Sequence, residues 1–205
     1  MMVALALAGL GALPCGAVQA ATGKLRLTSG VSSIEGAAGG GLTPWATIGS
    51  NATAGETGVS AYLTRIRTND YGLTSAGVAF GWSERFEVSL ARQDFDASPA
   101  VALNRVAPFG IAAGQHIRMD ILGLKLRLAG DAILNADTWQ PQISIGLQHK
   151  AVRPGTLGSV LRFLGTDTHG TDFYVSATKL LLADSVLVNA TLRATRANQN
   201  GLLGF

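Results

Sequence analysis

Ser176 and Lys179 have the S-x-x-K spacing that some acyl-transfer enzymes use for a serine nucleophile and its base. That chemistry needs both side chains on one face, which a helix provides at positions i and i+3. These two residues lie in a segment of alternating polarity, which predicts a strand. On a strand, positions i and i+3 point to opposite faces, so the spacing is interpreted as a chance match.

The three histidines, His116, His149 and His169, do not have metal-ligand spacing. Asp167, His169 and Asp172 fall in one predicted loop. They could hold a divalent cation there, although a solvated loop is far commoner. His149 shares a predicted strand face with apolar residues, as on the lipid side of an outer-membrane lipid hydrolase, but no serine partner can be named. We therefore predict no enzyme activity, no catalytic residues, no cofactor and no metal.

The glycine-rich run Gly36–Gly41 (G-A-A-G-G-G) is the remaining motif with possible chemistry. It lacks the lysine of a P-loop and the strand-then-helix context of a phosphate site. A tight turn, or a close approach of backbone inside a lumen, is the better interpretation.

The composition excludes two classes of protein. The 205 residues carry 16 Lys and Arg and 13 Asp and Glu, only 14% charged residues, and 47% are hydrophobic. A disordered tail needs high charge and low hydrophobicity, so it is excluded. The net charge of +3 comes without a basic stripe, so no nucleic-acid partner is expected.

The N-terminus predicts export. Residues 1–20 contain an apolar run of signal-peptide length, and small residues at Val18 and Ala20 place cleavage after Ala20. The single cysteine, Cys15, lies in this segment, so the mature domain 21–205 would have no thiol.

The mature chain alternates between apolar and polar residues with a period of two, which indicates β-strands. The clearest predicted strands are 85–93, 122–128, 141–150 and 186–197, weaker ones lie near 42–50, 58–68, 72–82 and 172–182, and 24–34 is a further candidate. Each run is about ten residues, the length that a tilted strand needs to cross a bilayer. These segments give eight strands, or nine if 24–34 is included.

Loop lengths fit the same fold. Short turns at Ser83-Glu84 and Ala183-Asp184-Ser185 contrast with long connections at 96–115 and 151–171, which we expect to be extracellular. The predicted fold is an all-β, antiparallel, up-and-down transmembrane β-barrel, with about 8–12 strands in the intact protein and incomplete in this chain.

One face of the predicted strands is polar and would line the lumen. The lumen-facing candidates are Glu87, Lys125, Arg127, Gln142, Asn189 and Arg193. Trp82 and Phe86 flank a tight turn, where an aromatic girdle would meet the membrane interface, although ordinary packing would also explain them.

Three stretches carry a family resemblance: Ile34–Ala46 (I-E-G-A-A-G-G-G-L-T-P-W-A), Gly170–Leu182 (G-T-D-F-Y-V-S-A-T-K-L-L-L) and Asn189–Phe205 (N-A-T-L-R-A-T-R-A-N-Q-N-G-L-L-G-F). They resemble a proteobacterial outer-membrane family catalogued as domain of unknown function 3034, over nearly all of 28–205. The resemblance implies a signal-bearing outer-membrane protein without an assigned activity. It also implies a C-terminally truncated chain, because members extend past G-L-L-G-F.

Together these features predict a protein in the outer membrane of a Gram-negative bacterium, with membrane lipid and the barrel-assembly machinery as partners. Its expected role is a channel or transporter for small solutes. The alternatives are a non-conducting barrel that organises the envelope and, with less support, a lipid-modifying enzyme or a soluble periplasmic β-barrel.

Overall fold

The computed structural model describes residues 31–49, 55–69, 71–96, 116–133, 138–155 and 165–205, and these residues contain no α-helix. Seven strands form one antiparallel sheet, in which each strand pairs with its neighbour in sequence. The sheet curls into a half-barrel, which confirms the predicted all-β up-and-down architecture and is consistent with an incomplete barrel. The predicted signal peptide lies outside the described residues.

A two-stranded ribbon precedes the sheet and a short 3-10 helix follows it. The elements are β1 (Gly39–Gly40), β2 (Thr43–Pro44), β3 (Thr57–Arg67), β4 (Gly72–Trp82), β5 (Phe86–Asp96), β6 (His116–Ala129), β7 (Gln142–Arg153), β8 (His169–Leu181), β9 (Val186–Ala194) and the 3-10 helix Asn198–Gly201. The β3–β9 sheet is regular apart from one register shift between Arg127 and Ala129.

The tight turn between β4 and β5 occurs where the sequence predicts it. Ser83 and Glu84 have φ values of 52° and 55°. Positive φ at both central residues belongs to the hairpin turns whose twist matches the flanking strands. The turn after β8 has a similar feature, since Ser185 has a φ of 54°.

Some predicted boundaries were wrong. The segment 42–50 was expected to be a strand, but within its described part only Thr43–Pro44 pairs, and it pairs with Gly39–Gly40. The described sheet has seven strands rather than eight or nine. Of the expected strand 24–34, only residues 31–34 are described, and of these only Ser32 makes a bridge, to Ala38.

The two faces of the sheet have opposite polarity. The concave face is buried and mostly polar: its fully or nearly fully buried side chains include Ser75, Glu87, Ser89, Gln93, Lys125, Gln142, Ser144, Gln148, Lys150, Asp172, Ser176 and Thr178. The convex face exposes large apolar side chains, among them Val59, Leu63, Val78, Phe80, Val88, Leu90, Leu122, Leu124, Phe173, Val175 and Leu192. In a sheet that faces water, the apolar side is buried and the polar side is exposed, so the polarity of the two faces is reversed here.

At one end of the concave face the side chains change from polar to apolar. Ile117, Met119 and Ile121 on β6 are buried there with Val152, and the chain end at Phe205 packs against them. Phe205 also pairs its backbone with Asp167 in both directions, at 2.9 and 3.0 Å. The chain's last residues therefore cover this end of the concave face.

Glycines on the concave face make room for two tyrosine rings. Tyr62 lies over its cross-strand partner Gly77, and Tyr174 lies over Gly146. A Cβ added at these glycines would come within 2.6 Å of Tyr62 and 2.3 Å of Tyr174. Such aromatic side chains cover the bare backbone of strand glycines and fix the register.

Candidate functional site: the occupied concave face

Residues 31–49, here called the inserted segment, lie against the concave face and bind it mainly through backbone groups. The Ile34 carbonyl accepts hydrogen bonds from Ser75 Oγ at 2.6 Å, Gln93 Nε2 at 2.8 Å and Tyr62 Oη at 3.0 Å. These donors come from β4, β5 and β3. One carbonyl of the inserted segment therefore joins three adjacent strands.

The other end of the inserted segment reaches the opposite side of the sheet. The Ala46 amide donates to Thr178 Oγ1 at 2.7 Å, and its carbonyl accepts from Gln142 Nε2 at 2.7 Å. Ser176 Oγ and Thr191 Oγ1 donate to the Pro44 carbonyl at 2.9 and 2.8 Å. Side chains of the strands therefore bind this backbone in place of a neighbouring strand, which explains why residues 42–49 do not form a regular strand.

A buried ion pair between Lys125 and Glu87 binds backbone groups of the inserted segment. Lys125 Nζ lies 3.0 Å from Glu87 Oε1, and the two side chains are 0% and 1% exposed. Lys125 also donates to the carbonyls of Ala38 at 3.1 Å and Thr47 at 2.9 Å. Glu87 accepts from the amides of Ala38 at 3.1 Å and Gly49 at 2.6 Å. Each charge is therefore balanced by its partner and by backbone groups, as burial requires.

A second buried cluster holds Glu35 of the inserted segment. Lys150 Nζ lies 2.5 Å from Glu35 Oε1 and 2.9 Å from Asp172 Oδ2. Arg193 reaches both Glu35 oxygens, at 2.6 and 3.2 Å. Two cations and two anions meet here, so the cluster has no net charge. We call it the Glu35 cluster.

The sequence-predicted lumen residues all lie on the concave face, but their surroundings differ. Glu87, Lys125 and Gln142 are buried against the inserted segment. Asn189 and Arg193 are half-buried on β9, where Asn189 accepts from Thr178 Oγ1 at 2.7 Å. Arg127 lies near the end of β6 and pairs with Glu84 at 3.4 Å and Asp131 at 3.5 Å.

Sequence reasoning missed Glu35, Lys150 and Asp172. Asp172 was assigned to a loop with His169, whereas both belong to β8, with Asp172 buried and His169 exposed. Lys150 continues the polar face of Gln142 and Gln148 on β7, so the alternation contained a signal for it. No local pattern marks Glu35, because its partners Lys150 and Arg193 lie 115 and 158 positions away.

Several polar atoms of the concave face still have unused hydrogen-bonding capacity. Ser33 Oγ, Ser89 Oγ and both polar atoms of Gln148 are buried without a hydrogen-bond partner in the described part of the chain. Ser89, Gly123 and Gln148 are directly opposite one another on three adjacent strands. Buried polar groups are normally satisfied, so these atoms are the part of the concave face with hydrogen-bonding capacity left over.

The remaining sequence motifs form no catalytic arrangement among the described residues. Ser176 is buried on the concave face, whereas the position of Lys179 belongs to the opposite face, as predicted. His149 lies on the convex face with Nδ1 3.0 Å from Thr171 Oγ1. No group of three or more metal-ligating side chains occurs in the described ranges.

Trp82 and Phe86 lie on the convex face on either side of the β4–β5 turn. Their rings stack with centroids 5.6 Å apart, and the two residues are 52% and 45% exposed. No helix among the described residues is sufficiently long and apolar to cross a membrane.

Comparison with known proteins gives one match. The sequence profile of a family described as "Protein of unknown function (DUF3034)" matches residues 28–205. No curated protein matches the chain, and no solved structure does.

Proposed function

We propose that this chain, which belongs to the DUF3034 family of unknown function, is part of an outer-membrane β-barrel that passes small polar solutes and carries the inserted segment as an internal plug. The reversed polarity of the sheet supports this proposal above all else. A convex apolar face is stable against lipid, and a concave polar face is stable around a polar interior.

The shape of the convex apolar area supports a membrane location. Its edge near the long connections falls at Leu63 and Ala76 on β3 and β4, at Leu90 and Leu122 on β5 and β6, and at Phe173 on β8. Directly paired residues define rows that run across the strands. From β3 to β8, which is five strand spacings or roughly 24 Å, the edge shifts by four residues along the strands, or roughly 14 Å. The edge therefore crosses the rows at an angle of about 30°. Barrel strands are tilted by about 35–45° in a membrane, so a level lipid boundary would cross the rows at a similar angle.

The height of the apolar area also fits a bilayer. On β9 the exposed positions from Val186 to Ala194 are all apolar. Eight residue steps cover roughly 27 Å along the strand, or about 21 Å along the membrane normal at a 40° tilt. The apolar band of outer-membrane barrels is about 25 Å tall.

The unsatisfied polar groups of the concave face support a route for polar solutes. The Glu35 cluster and the Glu87–Lys125 pair fill the lumen with neutralised charge, so neither cations nor anions are favoured there. The row around Ser89 and Gln148 has donors and acceptors to offer. Small polar solutes without a large net charge suit these surroundings best.

A second candidate function is a barrel that conducts nothing and organises the envelope. The dense contacts of the inserted segment favour it, because two buried charge clusters and several side chains fix the segment in place. Neither candidate requires a catalytic step.

Fractionation and conductance test both candidates. The full-length protein is expected in the outer-membrane fraction of a Gram-negative host, with a mobility on gels that shifts on boiling. A soluble periplasmic band without a shift would reject the membrane location.

The plug is tested with Glu35→Gln in planar bilayers. Loss of this carboxylate charge weakens the contacts to Lys150 and Arg193, so conductance should increase, whereas Asp184→Asn in the exposed β8–β9 turn should leave it unchanged. A folded barrel that never conducts, with or without Glu35→Gln, would support the envelope-organising role instead.

A further inference from the structure

A band of exposed charged residues borders the convex apolar area, at the end of the sheet that adjoins the long connections. We call it the arginine band. It comprises Arg65, Arg67, Arg92, Arg118 and Arg153 with Asp94, Asp96, Asp120 and His116. The band begins one row beyond Leu90 and Leu122, because Arg92 and Asp120 are the next outward-facing residues on β5 and β6.

The band has more positive than negative charge. Asp120 is shared by Arg92 at 2.5 Å and Arg153 at 3.0 Å, and Asp94 pairs with Arg118 at 3.1 Å. Five arginines face three aspartates, a net charge of +2 before His116 is counted. The excess lies on β3, where Arg65 and Arg67 have no ion-pair partner within the described ranges.

An apolar groove runs from the band into the apolar area. It has a volume of about 630 Å³, and Ala76, Val78, Leu90 and Leu122 are among the residues that line it. Its lining includes the small residues Gly77 and Ala91, which leave space between the larger side chains. Arg92 also lines the groove, and Arg65 lies in the next row on the neighbouring strands.

We propose that this place binds one phosphorylated glycolipid of the outer leaflet, with an acyl chain in the groove and the headgroup phosphate on Arg65, Arg67 and Arg92. Guanidinium groups bind phosphate through paired hydrogen bonds. Arg65 and Arg67 have no ion pair within the described ranges to give up, and Arg92 would share its guanidinium between the phosphate and Asp120. A free anion would not use the adjoining groove. The long connections, which we expect to be extracellular, place the band at the outer leaflet.

This inference depends on the proposed membrane location, and the test separates the two. The full-length protein is reconstituted in phosphatidylcholine vesicles, where heat-modifiable mobility reports the folded barrel. Binding is then measured with diphosphorylated lipid A and with the same lipid after removal of its phosphates. The wild type should bind the phosphorylated form about tenfold more tightly, because only that form offers charge-assisted hydrogen bonds.

The variants locate the site. Arg65→Ser, Arg67→Ser and Arg92→Ser combined should remove the preference for phosphate, and Arg67→Ser alone should reduce it about threefold. Arg85→Ser is the matched control, because Arg85 is exposed at the opposite end of the β4–β5 hairpin and should change binding less than twofold. Equal binding of both lipid forms by the wild type would overturn the inference, as would a folded triple variant that keeps the preference. A protein that does not enter membranes at all would instead reject the proposed function.

Discussion

Replacing Lys125 with methionine tests whether the buried charges hold the inserted segment in the half-barrel. Methionine keeps most of the side-chain length and removes the ammonium group. Glu87, which is 1% exposed, would then keep only its two amide donors. The Thr47 carbonyl would lose its Lys125 donor, and the Ala38 carbonyl would keep only the Trp45 amide. Removing one member of a buried ion pair costs about 3–5 kcal/mol, so we expect the free energy of unfolding to decrease by about 4 kcal/mol.

The control variants isolate the charge effect. Arg127→Met lies two residues further along the same strand and face, but its ion pairs are longer and its side chain is 20% exposed. Such a pair contributes about 0–1 kcal/mol. Adding Glu87→Gln to Lys125→Met removes the unpaired charge, so the double variant should be about 2 kcal/mol more stable than the sum of the single effects predicts.

Urea titration of the full-length protein in lipid vesicles provides the measurement. Trp45 belongs to the inserted segment, so tryptophan fluorescence reports on that segment as well as on the sheet. Ser33→Cys in a Cys15→Ser background adds a thiol that is buried when the segment is seated, since Ser33 is 0% exposed. Labelling of this thiol should be faster in Lys125→Met. The reasoning is refuted if Lys125→Met and Arg127→Met cost the same, or if the two single effects simply add in the double variant.

Two further substitutions test the faces of the sheet. Leu124→Arg, in the middle of the convex apolar area, should cost about 2–4 kcal/mol in vesicles if lipid covers this face, and less than about 0.5 kcal/mol if water does. Gly146→Ala places a methyl group within 2.3 Å of the Tyr174 ring, which is buried and has little room to move, so we expect a loss of about 1–3 kcal/mol. Gly72→Ala is its control, because its nearest contact would be an ordinary 3.5 Å, and equal stability of the two alanine variants would contradict the packing argument.

The alternation of polarity predicted most of the sheet. It located β3, β4, β5 and β7–β9 to within a few residues and placed the six lumen candidates on one face, because side-chain alternation is a property of each strand alone. The first part of β6 was missed for a physical reason. From His116 to Ile121 the alternation continues with its polarity inverted, so that Ile117 and Met119 face inward while Arg118 and Asp120 face outward. When the polar and apolar positions exchange faces within one strand, the sequence no longer shows a single continuous alternation, so the start of β6 was not predicted.

The segment 42–50 shows the opposite failure. It alternates locally and was predicted as a strand, but Pro44 has no amide hydrogen to donate, and side chains of β7, β8 and β9 bind the backbone instead. The same limit applies to the Glu35 cluster, which depends on which strands come together and in what register.

The sequence by itself therefore determined most of the strands, their two faces and the unusual placement of apolar residues, since these follow from neighbouring positions in the chain. Only the tertiary structure decided that residues 31–49 fill the concave face and that Glu35 meets Lys150 and Arg193. The Glu35 contacts join positions 115 and 158 residues apart, and the geometry of the whole inserted segment exists only once the sheet has curled and its register is set.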